Sequence, residues 1–378
     1  MSNVRLWIPA VAAAALLALS APLPASAQDV SDRFSAFAVH AESGPEIDYS
    51  ALSVIFRNVV YDVPMSDRQV VRSRVERTGT RLVRQSESRY RYEGNRLMLH
   101  VLNDENKAII ASYRGGLEDI ARQVDLASLT RDEQLAFWFN LHNIIVLDEL
   151  ARAYPVSSPQ RIRLGPDNTS LHDTPVVEAG GTRLSLRDIR ENIVYRHWDD
   201  PRVIYGFHTG AVGSPQLRRQ AYTGSEVWSM LDANAREFVN ALRGVEDNTT
   251  PRISPVYETA RPHFFADWPA DLYAHLGTFA GAQVSAILAN GGEPRFLAYD
   301  DNLADLTNGA GPCATASLYG GSVSRPNEGG LADSGTGCQA DSEIVRDFFD
   351  NVALRRQRMS SGSGDVSVRD VPEEAPSD

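Results

Sequence analysis

His208, Thr209 and Ser214 are the residues of this chain whose types and spacing could do chemistry. They share one Gly-rich loop, His208-Thr209-Gly210-Ala211-Val212-Gly213-Ser214-Pro215. His208 could serve as general base toward the hydroxyl of Ser214 or Thr209, with Glu191 or Asn143 orienting the ring. The activated hydroxyl would then attack an ester, amide or glycan. The same residues also have a structural reading. His208 would cap a strand end, and Ser214 before a proline would be a turn residue. No G-x-S-x-G elbow surrounds Ser214. Arg202 could hold a carboxylate in its planar fork, or pair with Glu191. Asn140 and Asn143 lie three apart in an apolar stretch, so they form either a site wall or a buried polar network. The candidate catalytic set is therefore His208, Ser214 and Glu191, and the candidate ligand-binding set is Asn140, Asn143, Arg202 and Thr209. The chain has no Walker loop, dinucleotide fingerprint or H-E-x-x-H. Asp300, Asp301, Asn302 and Asp305 cluster without EF-hand spacing. No metal and no cofactor are expected.

These residues need elements to hold them. Thr130 and Glu133 form an S/T-x-x-E capping box that opens a helix from Arg131 to about Ala153. Tyr154-Pro155 stops it. Nearly every turn carries a large apolar residue, so this helix should be buried. Ser185 and Asp188 start a second helix, running toward Arg196. Arg202 to Phe207 reads as a buried strand leading into the loop. Thr223 and Glu226 suggest a third capping box, with a helix ending at Gly244. Arg252 to Tyr257, interrupted by Pro255, reads as an edge strand. Residues 271–290 read as one helix, 296–299 as a last strand, and 341–356 as a short amphipathic helix. The class is α+β: a helix-rich single main domain with a few short strands.

The chain has 378 residues, is 43% hydrophobic and carries a formal charge of −12. That supports a sizeable core and disfavours nucleic acid as a partner. Residues 1–27 have a basic start at Arg5, an apolar run from Leu6 to Leu19, and Ala25-Ser26-Ala27 as a cleavage site. Ser20, Pro22 and Pro24 end the run short of a membrane span. A periplasmic or secreted protein starting at Gln28 is expected, with no later transmembrane span. Cys313 and Cys338 enclose a Gly/Ser-rich loop and, in an oxidising compartment, would form a disulfide. The expected layout is a linker at 28–43, a domain at 44–306 with an arginine-rich insertion near 58–96, the cysteine loop and short helix at 307–358, and a disordered tail at 359–378.

Several segments together resemble the DUF547 family of bacterial and plant proteins. Ile47-Asp48-Tyr49-Ser50-Ala51-Leu52 is similar to its opening V-D-Y-x-A-L. Leu135-Ala136-Phe137-Trp138-Phe139-Asn140-Leu141-His142-Asn143 is similar to its L-A-F-W-I-N-x-Y-N. Leu184 to Ile189 with Glu191, Asp200-Pro201-Arg202, Ser214-Pro215 with Leu217, and Ala221-Tyr222-Thr223 follow in order. The resemblance spans roughly 44–306. The family is named for its unknown function, so it implies no reaction. Many bacterial members carry loop cysteines, which would fall at Thr209 and Ser214, and the helix aromatic is His142 here. The departure moves weight from a thiol mechanism toward a non-catalytic role or a hydroxyl nucleophile. Three readings follow. The preferred one is an exported ligand-binding or interaction module. The others are an exported hydrolase or transferase, and an envelope protein whose arginine-rich insertion meets anionic polymer. The ligand would be a small molecule, a peptide or an envelope polymer.

Overall fold

Thr130 opens the helix around which the rest of the domain is built. In a computed structural model, which describes residues 33–38, 41–70, 88–307, 309 and 338–362, the Thr130 hydroxyl accepts the Glu133 N–H at 3.3 Å. The helix, Arg131–Ala153, stops before Pro155 as expected. Residues 133–151 are all buried, so it is a core helix without a solvent face. Glu133 does not complete the capping box. Its two carboxylate oxygens accept the N–H groups of Ile47 and Gly224, each at 3.1 Å. A buried acid is thereby spent on tying two distant backbone segments to the helix start.

In chain order the helices of eight or more residues are α1 (Ser50–Val59), α2 (Asp104–Gln123), α3 (the core helix), α4 (Val227–Asn240), α5 (Val256–Phe264), α6 (Ala270–Phe279) and α7 (Cys338–Gly362). The strands are short and lie in small sheets. The α+β, helix-rich class read from the sequence is what the structure has. No helix among the described residues is long and apolar enough to cross a membrane.

Helix α2 gave no sequence signal, because Gly115-Gly116 sits in its middle. It is nevertheless capped by reciprocal bonds between Asn103 and Asn106. Arg114 fastens it to α3 through Asp148 at 2.8 Å and Glu149 at 2.5 Å. A Cβ on Gly115 or Gly116 would meet nothing within 4 Å. Gly115→Ala and Gly116→Ala are each expected to stabilise the protein by about 1 kcal/mol, seen as a higher urea midpoint.

Four local expectations need correction. Residues 202–206 are not a strand but lie in a 3-10 helix, Pro201–Gly206, and Phe207 follows it in extended backbone. Asp200 caps it by accepting the Arg202 N–H at 2.9 Å, and proline fits its first position. Thr223 and Glu226 form no capping box, since α4 starts at Val227 without a side-chain cap and ends at Asn240. The strand Arg252–Ile253 lies in the middle of a three-stranded sheet, not at its edge. Pro255 falls beyond it and serves as the N-cap of α5. The helix expected over 271–290 breaks into α6 and a short helix, Ala282–Leu288. The Asn240 side chain takes both the Phe279 carbonyl at 2.9 Å and the Gly281 N–H at 2.6 Å, so the ladder is interrupted there.

The arginine-rich insertion leaves between two paired strands, Val60–Tyr61 and Arg96–Leu97. Its described flanks are packed in part, with the residues next to the second strand buried. Arg96 is 2% exposed and donates to the carbonyls of Tyr90, Arg91, Gly94 and Asn95. Glu93 accepts the N–H groups of Leu242 and Arg243. In α7, Phe348 and Val352 close over Val63, Tyr92 and Leu306. Phe34 and Phe37, expected in a linker, are buried, and the Phe37 ring meets Trp138 edge-on at 5.4 Å. The expected signal segment 1–27, Cys313 with most of the loop expected to be disulfide-bridged, and the tail beyond Gly362 lie outside the described residues.

Candidate functional site

Asn140 projects from α3 onto Tyr222, and Asn143 onto the segment that carries His208, Thr209 and Ser214. Each is buried and spent on backbone. Asn140 accepts the Tyr222 N–H at 2.9 Å and donates to the Tyr222 carbonyl at 2.8 Å. Asn143 accepts the His208 N–H at 3.0 Å and donates to the Gly206 carbonyl at 2.9 Å. Both amides thus act as two-point clamps on backbone, which makes them positioning residues. Between them Phe139 packs on Gly206, where a Cβ would sit 2.2 Å from the ring. Only glycine fits that crossing without displacing the helix or the loop.

The clamps bring His208, Thr209 and Ser214 together. The Ser214 hydroxyl lies 3.2 Å from His208 Nδ1, as a base and nucleophile would. The polarity opposes that role. His208 Nδ1 is also 2.9 Å from the Pro215 carbonyl, which can only accept, so we assign the proton to Nδ1. The Ser214 hydroxyl in turn donates to the Ala211 carbonyl at 2.8 Å. Both side chains are buried, and burial pushes the His208 imidazole down to about 4. Thr209 Oγ1 pairs with the Tyr299 hydroxyl at 2.9 Å. His172 lies 3.3 Å from the Thr209 carbonyl through Nε2, and burial pushes it to about 4 as well. His142 stacks near His172, with ring centroids 6.4 Å apart, and burial holds it well below its usual value. One ring nitrogen on each of His142, His172 and His208 is buried without a partner. His142, His172 and Tyr299 complete this cluster, and no motif in the sequence pointed to His172.

Glu191 is elsewhere. It meets Arg187 at 3.4 Å and Arg190 at 2.6 Å, and contacts neither His208 nor Arg202. The expected roles of Glu191, orienting His208 or pairing with Arg202, are therefore not those it holds. Arg202 is gripped instead by Asp200 at 2.6 Å and Asp232 at 3.0 Å. Those bonds, Asp200's first, raise its pKa. Burial pushes the Asp200 carboxyl up, but its hydrogen bonds with Arg202 outweigh that and hold it below the usual carboxylate range. Among the described residues no group of three or more His, Cys, Asp or Glu side chains is arranged to hold a metal. Asp300, Asp301 and Asp305 spend their oxygens on Asn302, Gln160, and Thr307 with Gly309.

An open cleft of about 430 Å³ lies beside Arg202, lined by Arg131, Trp198, Asp199, Asp200, Pro201 and Trp228. Three features build it. The α3 start supplies Arg131, whose guanidinium donates to the His197 carbonyl at 2.5 Å and sits 5.4 Å from the Trp198 ring. The 3-10 turn supplies Asp200 and Pro201. The first residues of α4 supply Trp228, whose indole donates to Asp132 at 2.8 Å. The Arg202 guanidinium covers a face of Trp228 at 4.6 Å. Sequence reasoning missed this cleft, although the consecutive residues Trp198-Asp199-Asp200-Pro201 were a signal available to it.

Residues 126–239 match a family model described as "Protein of unknown function, DUF547". The resemblance read from the sequence motifs is thereby shown over its central part. The matched segment contains both asparagine clamps, the 208–215 loop and every lining residue of the cleft. Comparison with curated proteins and with solved structures returned no match.

Proposed function

From a chain whose residues 126–239 match the DUF547 family model, we propose an exported ligand-binding module whose ligand enters the cleft beside Asp200 and Arg202. The observation that carries this reading is the cleft itself. It is an open depression bordered by charged groups and by the half-buried indole of Trp228, with the buried Trp198 beneath it. Asn143 holds Gly206, the last residue of the 3-10 turn whose start borders the cleft. The loop at 208–215 then serves as support rather than as the contact surface. The Ser214 hydroxyl and His208 Nδ1 are buried and bonded to backbone within the loop, and the half-buried Thr209 hydroxyl pairs with Tyr299. The signal-like segment 1–27 supports export, and export supports a Cys313–Cys338 bridge.

Two measurements test this. The chain expressed in a bacterial host and recovered from the periplasm is expected to have a mass starting at Gln28, with both cysteines unreactive to alkylation until reduced. A panel of small amines, carboxylates, amino acids and saccharides is then screened by melting temperature. Binding at a hundredfold excess over Kd raises stability by about 2.7 kcal/mol. At least one class should raise the melting temperature in the parent and lose that effect in Trp228→Leu. A panel without any effect would sink the reading, and so would an effect that survives Trp228→Leu.

A further inference from the structure

The cleft carries two opposite charges that no ion pair neutralises among the described residues. Arg131 and Asp199 are both exposed and both line it. Among the described residues Arg131 forms no ion pair, and its one hydrogen bond goes to a backbone carbonyl. Asp199 has neither a hydrogen bond nor an ion pair among those residues. The two do not pair with each other, although they border the same concavity. The remaining cation at this place, Arg202, is saturated by Asp200 and Asp232 and lies flat on Trp228. One positive and one negative group therefore border the cleft without an ion pair, and half-buried Trp228 and Pro201 border it with them.

Resting on the cleft reading above, we propose that the cleft takes a small zwitterion, a free amino acid or a short peptide. Its carboxylate would meet Arg131, its ammonium Asp199, and its apolar part Pro201 and Trp228, with Trp198 buried beneath them. A guanidinium binds a carboxylate through parallel N–H bonds, which gives that end its direction. A simple amine would satisfy Asp199 but face the charge of Arg131. A simple carboxylate would face Asp199. A ligand carrying both groups removes each conflict, and this electrostatic match is the source of discrimination. The volume leaves room for one or two residues.

The test compares three forms of each probe against the full exported chain. The probes are the free proteinogenic amino acids and a set of glycine-containing dipeptides. The N-acetyl form lacks the ammonium, and the C-terminal amide lacks the carboxylate. Tryptophan fluorescence gives the affinities. At least one free amino acid or dipeptide should bind, and its N-acetyl and amide forms should each bind about tenfold more weakly, a step of about 1.4 kcal/mol. Asp199→Asn should abolish the penalty for acetylation only, and Arg131→Gln the penalty for amidation only. Both residues are exposed, so melting curves should show folded variants. If capped forms bind as well as free ones, with all binding lost in Trp228→Leu, the zwitterion proposal falls and the cleft reading stands. If no zwitterion binds while another class does, the result is the same. If zwitterions bind equally well to Trp228→Leu and to the double variant at 131 and 199, both readings fall. Amino acids binding without dipeptides, or the reverse, separates the two sources.

Discussion

Replacing Asn143 by alanine is expected to lower the unfolding free energy by about 2–6 kcal/mol. The change strands two backbone groups, the Gly206 carbonyl and the His208 N–H, at a place sealed from water. Each buried group left without a partner costs about 1–3 kcal/mol. Asn143→Asp should be no rescue. A carboxylate still accepts from His208 but sets an oxygen against the Gly206 carbonyl. Urea unfolding of the three proteins, with equal slopes, gives the comparison. An Asn143→Ala protein that melts at or above the parent would reject the clamp. Residues kept for function at a cost to stability behave in that way, and the loop would then regain its place as the leading site.

Acid should unfold this protein steeply. Burial holds His172, His208 and His275 near 4, and His142 well below its usual value, against about 6.5 in an unfolded chain. The native state therefore binds fewer protons than the unfolded state between about pH 6.5 and pH 4. These four groups contribute stability that is whole above pH 6.5 and lost as pH falls toward 4. Asp305 works the other way. Burial raises it to about 6, so its native form takes up a proton more readily, and its contribution is lost as pH rises through 6. The balance near pH 5 is a native deficit of about three protons, or roughly 4 kcal/mol per pH unit. Unfolding free energies measured from pH 7 down to pH 5 should fall by several kcal/mol. His142→Phe, which removes one unpartnered ring nitrogen, should flatten the slope by about one proton. A flat profile over that window would mean that these imidazoles are not held neutral by burial.

Some of this was legible along the chain and some was not, and the division follows range. The core helix could be read because its signals are local: a threonine cap, an apolar residue on nearly every turn, and a proline stop. The exchange between Ser185 and Asp188 was also read correctly, with N–H bonds of 2.9 and 3.0 Å in the two directions. Helix α2 was hidden because two glycines dilute its pattern, while the bonds that hold it reach across to α3. The run 202–207 looked like a strand because a short, fully buried apolar segment has no period to distinguish strand from 3-10 helix. Its proline and capping aspartate were the better guide.

The site divided in the same way. From the sequence alone it was determined that two amides lie on one face of a buried helix, that a Gly-rich loop carries His208 and Ser214, and that the segment resembles a family without a known reaction. What those groups bond to was decided only in three dimensions. Asn140 meets a residue 82 positions away, and Asn143 meets residues 63 and 65 positions away. The proton on His208 Nδ1 is fixed by a carbonyl beside the serine it was expected to activate. The cleft draws its walls from a helix start, a 3-10 turn and another helix start. Periodicity and caps act within a few residues, so a sequence displays them. The partner of a buried polar group depends on which distant backbone the fold brings against it, and that is set by closure of the whole core.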